Sequence, residues 1–149
     1  MKLLSQRDLR WCDKKLGQSS LTIGRYGCTT TSISMLSDYF GALILPPTIA
    51  SNVHFYTPDG LIVWKNLSFK GFKFDNREFG QNDVNIKAAL KDPNRAVILN
   101  VNNGAHWVVA IKPTLLGNSY VVADPWSGAQ CDVLKIYHNI TGAAYFSRA

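Results

Sequence analysis

Residues 24–40 read GRYGCTTTSISMLSDYF, a glycine-rich turn that runs directly into a helical pattern. After Cys28, the apolar residues Ile33, Leu36 and Phe40 recur at intervals of three and four, which predicts an amphipathic helix over residues 28–40. The glycine that follows suits a C-terminal cap. Because the threonines of the first turn are poor helix formers, we expect packing rather than intrinsic propensity to stabilise this helix.

The segments around this helix carry weaker signals. Residues 1–27 are rich in glycine and serine and are predicted to form loops. A short helix is expected over residues 47–53, and a strand over residues 69–74. Asp83 is positioned to cap a further helix over residues 84–91.

The C-terminal third of the chain changes to apolar runs of strand length. Five strands are predicted, over residues 96–101, 106–111, 120–124, 130–134 and 143–146. Helices come first and a mostly antiparallel sheet follows, which indicates an α+β fold with the first long helix packed on the sheet. A length of 149 residues fits a single domain spanning residues 1–149.

Composition excludes several classes of protein. Hydrophobic residues make up 46% of the chain and charged residues 17%, as in ordinary globular proteins. No apolar run approaches the ~18 residues of a membrane span, and the N-terminus lacks the apolar segment of a secretory signal. We therefore expect a protein without a membrane span that keeps its N-terminus.

The net charge of +6 raises the question of nucleic-acid binding. The basic residues are scattered, however, and neither a zinc-finger spacing nor a phosphate-binding loop occurs, so no specific nucleic-acid partner is expected. Glu78 is the only glutamate in the chain. Both H-E-x-x-H zinc proteases and paired-glutamate glycosidases are therefore excluded.

Cys28 is the most informative of the three cysteines. An odd count without a C-x-x-C pair argues against a disulfide framework. At a helix N-terminus, free N–H groups and the helix dipole favour the thiolate, and Arg25 would add a positive charge. Gly27, which has no side chain, would let a substrate backbone approach the sulfur. The alternative is that Cys28 is a buried structural residue.

His106 and Asp124 are linked by an assumed strand pairing. If residues 106–111 and 120–124 form a hairpin in which Ala110 faces Tyr120, His106 faces Asp124 on the same side of the sheet. The aspartate would then hold the imidazole by a hydrogen bond. Cys28, His106 and Asp124 together would form a nucleophile, a base and an orienting acid.

Four segments resemble the bacteriocin-processing-like cysteine peptidases, the double-glycine-peptidase-like branch of the papain-like superfamily. The segments are SQRDLRW (5–11), TIGRYGCTTTS (22–32), GAHWV (104–108) and VADPWSG (122–128). The resemblance implies a papain-like fold with Cys28 as nucleophile, His106 as base and Asp124 as orienting acid. It also implies that the side-chain amide of Gln6 donates into an oxyanion hole beside the Cys28 N–H.

The predicted function is a thiol hydrolase that cleaves a peptide or related amide bond without a cofactor. Tyr26, Gly27, Gly104 and Trp126 flank the predicted triad and are expected to bind substrate. The partner would be a peptide or protein, with peptidoglycan as an alternative. Similar stand-alone sequences occur in bacteria and phages, so a cytoplasmic or virion-associated protein is expected.

Three alternatives remain open at this point. The same triad also catalyses acyl transfer, as in transglutaminases, and amide cleavage in peptidoglycan amidases. A non-catalytic binding module could also use this scaffold, because fold does not imply function. Finally, Cys28, His106 and Asp124 could hold a zinc ion with an open fourth position.

Overall fold

A seven-stranded antiparallel sheet forms the centre of the computed structural model, which describes residues 1–149. Its strands lie in the order β1-β2-β7-β3-β4-β5-β6. They are β1 (Ser68–Phe69), β2 (Phe72–Phe79), β3 (Arg95–Val101), β4 (His106–Pro113), β5 (Tyr120–Asp124), β6 (Ala129–Asp132) and β7 (Ile140–Arg148). All neighbouring strands pair antiparallel, so the C-terminal strand closes the gap between β2 and β3.

Helices cover both faces of the sheet. They are α1 (Ile23–Tyr26), α2 (Cys28–Tyr39), α3 (Pro46–Ala50), α4 (Asp83–Lys91) and α5 (Val133–Tyr137). The helix α2 packs on one face, mainly against β4, and α4 packs on the other face against β3 and β4. The predicted α+β class and the packing of the Cys28 helix on the sheet are thus confirmed. None of the helices has the length and apolar character needed to cross a bilayer.

Each face of the sheet has its own apolar core. Along β3, Val97 and Leu99 pack on the α4 side, whereas Ile98 packs on the α2 side, and all three are fully buried. A strand buried on both faces has no polar alternation. This explains why residues 96–99 read as a continuous apolar run.

The helix α2 is held by its hydroxyl groups as well as by its apolar face. The Thr30 hydroxyl hydrogen-bonds with the Tyr56 hydroxyl at 2.7 Å, and the Ser32 hydroxyl donates to the Trp107 carbonyl. The helix ends at Tyr39, one residue earlier than predicted. Gly41 follows at φ 103°, and the N–H groups of residues 41 and 42 return to the carbonyls of residues 38 and 37. This is a Schellman cap, which supports the predicted role of the glycine.

The predicted elements between the first helix and the apolar strands need correction. The region predicted as one strand, residues 69–74, is a hairpin whose turn contains Gly71 at φ 97°. The cap of α4 is Asn82, whose side chain accepts a hydrogen bond from an N–H of the first turn, and Asp83 is the first helical residue. The short helix begins at Pro46 rather than Pro47 and ends at Ala50.

The segment 130–134, predicted as a strand, changes its structure in the middle. The strand β6 stops at Asp132, and α5 begins at Val133. Val133 is fully buried against the α4-side core, so a single helical turn folds back over the sheet there. Residues 1–27, predicted as loop, likewise contain the helical turn α1.

Candidate active site

Cys28 lies at a sharp junction between two helices. The Gly27 N–H donates to the Ile23 carbonyl at 2.8 Å, ending α1, and α2 begins at the next residue. A Cβ on Gly27 would stand 2.5 Å from the Ile23 carbonyl oxygen. The glycine is therefore required by helix packing, and it lines neither cavity of the site. The expected role of Gly27 in substrate approach stays a prediction.

Cys28 is 9% exposed and lines a cavity of about 350 Å³. Burial alone would raise the pKa of this thiol, but hydrogen bonding to His106 and the charge of its ring outweigh burial and lower the pKa. A hydrogen bond from the Trp107 backbone acts in the same direction. Arg25 lines the same cavity, and its contribution to the charge around the thiol stays a prediction, whereas His106 lowers the pKa of the thiol.

His106 is the first residue of β4 and follows a tight turn. Asn102, Asn103 and Gly104 all adopt positive φ, at 53°, 55° and 89°. Asparagine and glycine tolerate this left-handed region better than other residues, which explains why this turn is built from them. The turn brings the ring of His106 to the wall of the cavity, where the residue is 8% exposed.

The imidazole of His106 lies between the thiol and Asp124. Its Nε2 is 2.8 Å from Asp124 Oδ1, which leaves Nδ1 for the sulfur of Cys28. Burial lowers the pKa of His106, but the hydrogen bonds to Asp124 and Cys28 outweigh it and raise the pKa to about 9. The ring is therefore protonated at neutral pH.

The strand register that brings His106 to Asp124 differs from the prediction. Ala110 pairs with Val122 rather than with Tyr120, and a bulge follows in β4. This shift of two residues makes His106 a diagonal rather than a direct neighbour of Asp124. Because side chains alternate with a period of two, a two-residue shift keeps both on one face. The predicted contact therefore forms although the predicted pairing does not.

Asp124 is held from three directions. Its Oδ1 accepts from His106 and from the Trp126 N–H at 2.9 Å, and its Oδ2 accepts from the Tyr137 hydroxyl. Burial raises the pKa of Asp124, but these hydrogen bonds outweigh burial and lower it. The carboxylate therefore stays ionised beside the imidazolium.

Tyr137 is a site residue that sequence reasoning missed. It ends α5, lines the cavity and packs its ring 5.4 Å from that of His106. Burial and the hydrogen bond to Asp124 raise the pKa of its hydroxyl, so the hydroxyl remains a donor. No local signal marks it, because the preceding residues read as a strand.

Gln6 reaches the site from far upstream in the chain. The residue is 1% exposed, lines the Cys28 cavity, and donates from Nε2 to the Gly24 carbonyl at 3.3 Å. A primary amide has two N–H donors, so one remains for a bound group. The Gln6 backbone N–H donates to the Pro125 carbonyl at 2.7 Å, which ties this segment to the loop after Asp124.

The other predicted site residues lie around the sulfur. Tyr26 and Trp126, both about half exposed, line the first cavity. Gly104 lines a second cavity, of about 390 Å³, which also contains Cys28 and Tyr26.

The arrangement does not suit a metal ion. No group of three histidine, cysteine, aspartate or glutamate residues is placed to hold one. Asp124 binds one nitrogen of the His106 ring while Cys28 faces the other, so the three groups do not converge on a single point. The zinc alternative is therefore not supported.

Comparisons with protein-family models, with curated proteins and with solved structures find no match for this chain. Functional conclusions therefore depend on the geometry. A thiol of lowered pKa and a charged imidazole lie at the wall of one cavity, and a buried carboxylate holds the imidazole from behind. Such a set can attack an electrophilic carbon and move a proton to the departing group.

Proposed function

We propose that the protein is a papain-like cysteine hydrolase that cleaves peptide or related amide bonds, related to the bacteriocin-processing-like peptidases. The observation that carries the proposal is that Cys28 and His106 line one cavity, that His106 is hydrogen-bonded to Asp124, and that the thiol and the imidazole shift each other's pKa toward the charged pair. Thiolate and imidazolium are both favoured there, which is the state that attacks a carbonyl. A purely structural cysteine would not need a charged histidine held by a buried aspartate.

The reaction follows from these groups. The Cys28 sulfur attacks the carbonyl carbon, and the oxygen takes up negative charge beside the first N–H of α2 and the free Gln6 N–H. The C–N bond breaks as His106 gives its proton to the departing amine, leaving a thioester on Cys28. Water then attacks the thioester while His106 accepts its proton. The acid departs, and the thiolate–imidazolium pair is restored.

Selective alkylation tests the proposal. Iodoacetamide at pH 6–7 should modify Cys28 well before Cys12 and Cys131, both of which are partly exposed and therefore accessible. Peptide mapping by mass spectrometry gives the order of modification. Equal labelling of the three cysteines, or slowest labelling at Cys28, would remove the basis for an activated thiol.

Product analysis separates hydrolysis from the other reactions that this triad can perform. A peptide library incubated with wild-type protein and with Cys28→Ser should yield new peptide ends only with the wild type. Ammonia release or cross-linked peptides would instead indicate acyl transfer, and release of stem peptides from peptidoglycan would indicate an amidase. Absence of any Cys28-dependent product would favour a binding module.

A further inference from the structure

A second cavity lies beside Cys28. It has a volume of about 390 Å³ and shares Tyr26, Cys28 and Ala105 with the first cavity. The two cavities therefore adjoin at Cys28, and together they are called the cleft. A substrate lying in this cleft would place one part on each side of the scissile bond.

The position of His106 decides which part of the substrate lies on which side. His106 lines the first cavity, with Gln6 and Trp126, and does not line the second. Because the departing amine takes its proton from His106, the leaving group belongs in the first cavity. The acyl part of the substrate then occupies the second cavity.

The second cavity has apolar walls and one permanent charge. Hydrophobic residues make up 9 of the 14 lining residues, among them Leu16, Leu61, Ile62, Trp64 and Trp107. Arg77, on β2, is the only lysine, arginine, aspartate or glutamate in the lining. A ligand that fits the second cavity needs apolar groups and one negatively charged group.

Arg77 is held by aromatic rings rather than by an acid. Its guanidinium carbon lies 5.4 Å from the Trp64 ring, 5.1 Å from the Trp107 ring and 5.0 Å from the Phe79 ring. It forms no salt bridge and no hydrogen bond within the protein. Arg77 is exposed, so water reaches the N–H donors that the ring faces leave free, and a carboxylate matches the guanidinium fork.

We propose that the second cavity is the acyl-side subsite and that Arg77 selects substrates whose acyl segment carries a carboxylate next to an apolar side chain. This proposal rests on the proposed thiol hydrolase function. The apolar walls take the side chain, and Arg77 binds the carboxylate. The substrate class is therefore an acidic peptide or amide, cleaved after its acidic segment.

Matched peptide electrophiles test this assignment. Four chloromethyl ketones are used: acetyl-Glu-Leu-Gly and acetyl-Leu-Glu-Gly, and the same two with glutamine in place of glutamate. Second-order rates of Cys28 alkylation are measured by mass spectrometry. At least one glutamate reagent should react about two- to fivefold faster than its glutamine partner, as expected for an ion pair with an exposed arginine.

Variants assign the preference to Arg77. Arg77→Gln should reduce the glutamate-to-glutamine rate ratio to about one, and Arg77→Lys should give an intermediate ratio. Lys65→Gln is the matched control, because Lys65 is an exposed cation next to Trp64 that does not line the cavity. It should keep the wild-type ratio. Far-UV circular dichroism and urea unfolding like those of the wild type show that each variant is folded.

The possible failures are distinguishable. If the wild type reacts equally with all four reagents, or if Arg77→Gln keeps the preference, the subsite proposal is wrong and the hydrolase proposal stands. If iodoacetamide modifies Cys28 but none of the four peptide reagents does, the peptide hydrolase proposal is itself overturned, and the subsite with it.

Discussion

At the scale of single residues, the charge on Cys28 and His106 determines the response to pH. The pKa of Cys28 is lowered and that of His106 is raised to about 9, so thiolate and imidazolium coexist between the two values. Hydrolysis should rise as Cys28 ionises and fall as His106 loses its proton near pH 9. The measurement is kcat/KM against pH for any peptide found in the library screen.

The same pair can be observed without turnover. In ¹H–¹⁵N NMR spectra of the imidazole rings, His106 should titrate near pH 9, above the usual histidine value of ~6.5. Cys28→Ser removes the thiolate that helps to raise the pKa of His106, so the midpoint should move to lower pH. An unchanged midpoint would mean that the sulfur and the ring do not interact.

Tyr137 is expected to position Asp124 rather than to touch substrate. Tyr137→Phe removes one of the hydrogen bonds that lower the pKa of Asp124, so that pKa should rise. A carboxylate whose pKa is lower in the folded protein than in the unfolded chain stabilises the fold at pH values above its unfolded-state pKa. This stabilisation is lost as the pH falls through the folded-state pKa. On acidification, the variant should therefore begin to unfold at a higher pH than the wild type, as measured by tryptophan fluorescence. Its kcat should fall several-fold with little change in KM.

A second tyrosine supplies the control for Tyr137. Tyr145 also donates its hydroxyl to a carboxylate, that of Glu78, and packs on the same face of the sheet. Tyr145→Phe removes an equivalent hydrogen bond outside the site and should change stability without changing kcat. Equal effects of the two substitutions on kcat would indicate a merely structural role for Tyr137.

At the scale of the elements, the close junction between α1 and α2, here called the joint, requires a residue without a side chain at Gly27. Gly27→Ala would force a Cβ within 2.5 Å of the Ile23 carbonyl and 2.7 Å of its Cα, at a backbone φ of −89° that any residue adopts. Moving backbone to relieve such contacts costs ~1–3 kcal/mol. Urea unfolding should show this loss, and the rate of Cys28 alkylation should fall because the start of α2 is displaced.

Gly41 provides the matched comparison. A Cβ there meets nothing within 4 Å, but φ is 103°. Gly41→Ala should therefore cost only backbone strain, ~1–2 kcal/mol, and leave alkylation of Cys28 unchanged. Loss of Cys28 reactivity in both variants would show that reactivity follows global stability rather than the joint.

The sequence predicts those elements that one strong pattern specifies. The helix from Cys28 shows a three-four apolar spacing, and β3 is an unbroken apolar run, so both were located within one residue at most. The helix α5 was missed because a single turn of five residues is too short to show a period. Its direction is set by burial of Val133 against the sheet, which is a tertiary contact.

The candidate site likewise contains residues that the local sequence indicates and residues that it does not. Cys28 and His106 were identified from their local sequence, because Cys28 begins a predicted helix and His106 begins a predicted strand. Tyr137 and Arg77 enter the site only through the sheet order, which no local window contains. The register of β4 against β5 was predicted two residues away from the observed one, because a two-residue slip leaves the same side chains on each face and the apolar pattern does not distinguish the two registers.

At the scale of the whole molecule, the N-terminal segment connects two parts of the site that are distant in sequence. Arg7 Nε donates to the Trp126 carbonyl at 2.8 Å, and its guanidinium stacks 4.2 Å from the centre of the Trp126 ring. The neighbouring Gln6 N–H donates to Pro125. The amide of Gln6 and the loop after Asp124 are thereby fixed to one another, which explains how an upstream glutamine reaches the cavity.

Arg7→Ala should therefore impair the site without unfolding the protein. The substitution removes the hydrogen bond and the stacking contact from an exposed side chain, so the free energy of unfolding should change little. Displacement of Gln6 and Trp126 by a fraction of an ångström should lower kcat/KM about tenfold, since a misplacement of ~1 Å can cost ~10². Arg10→Ala is the control, because Arg10 stacks on Trp11 and pairs with Asp8, away from this loop. Equal losses of kcat/KM in the two variants would mean that general loss of positive charge, rather than the link to Trp126, limits the reaction.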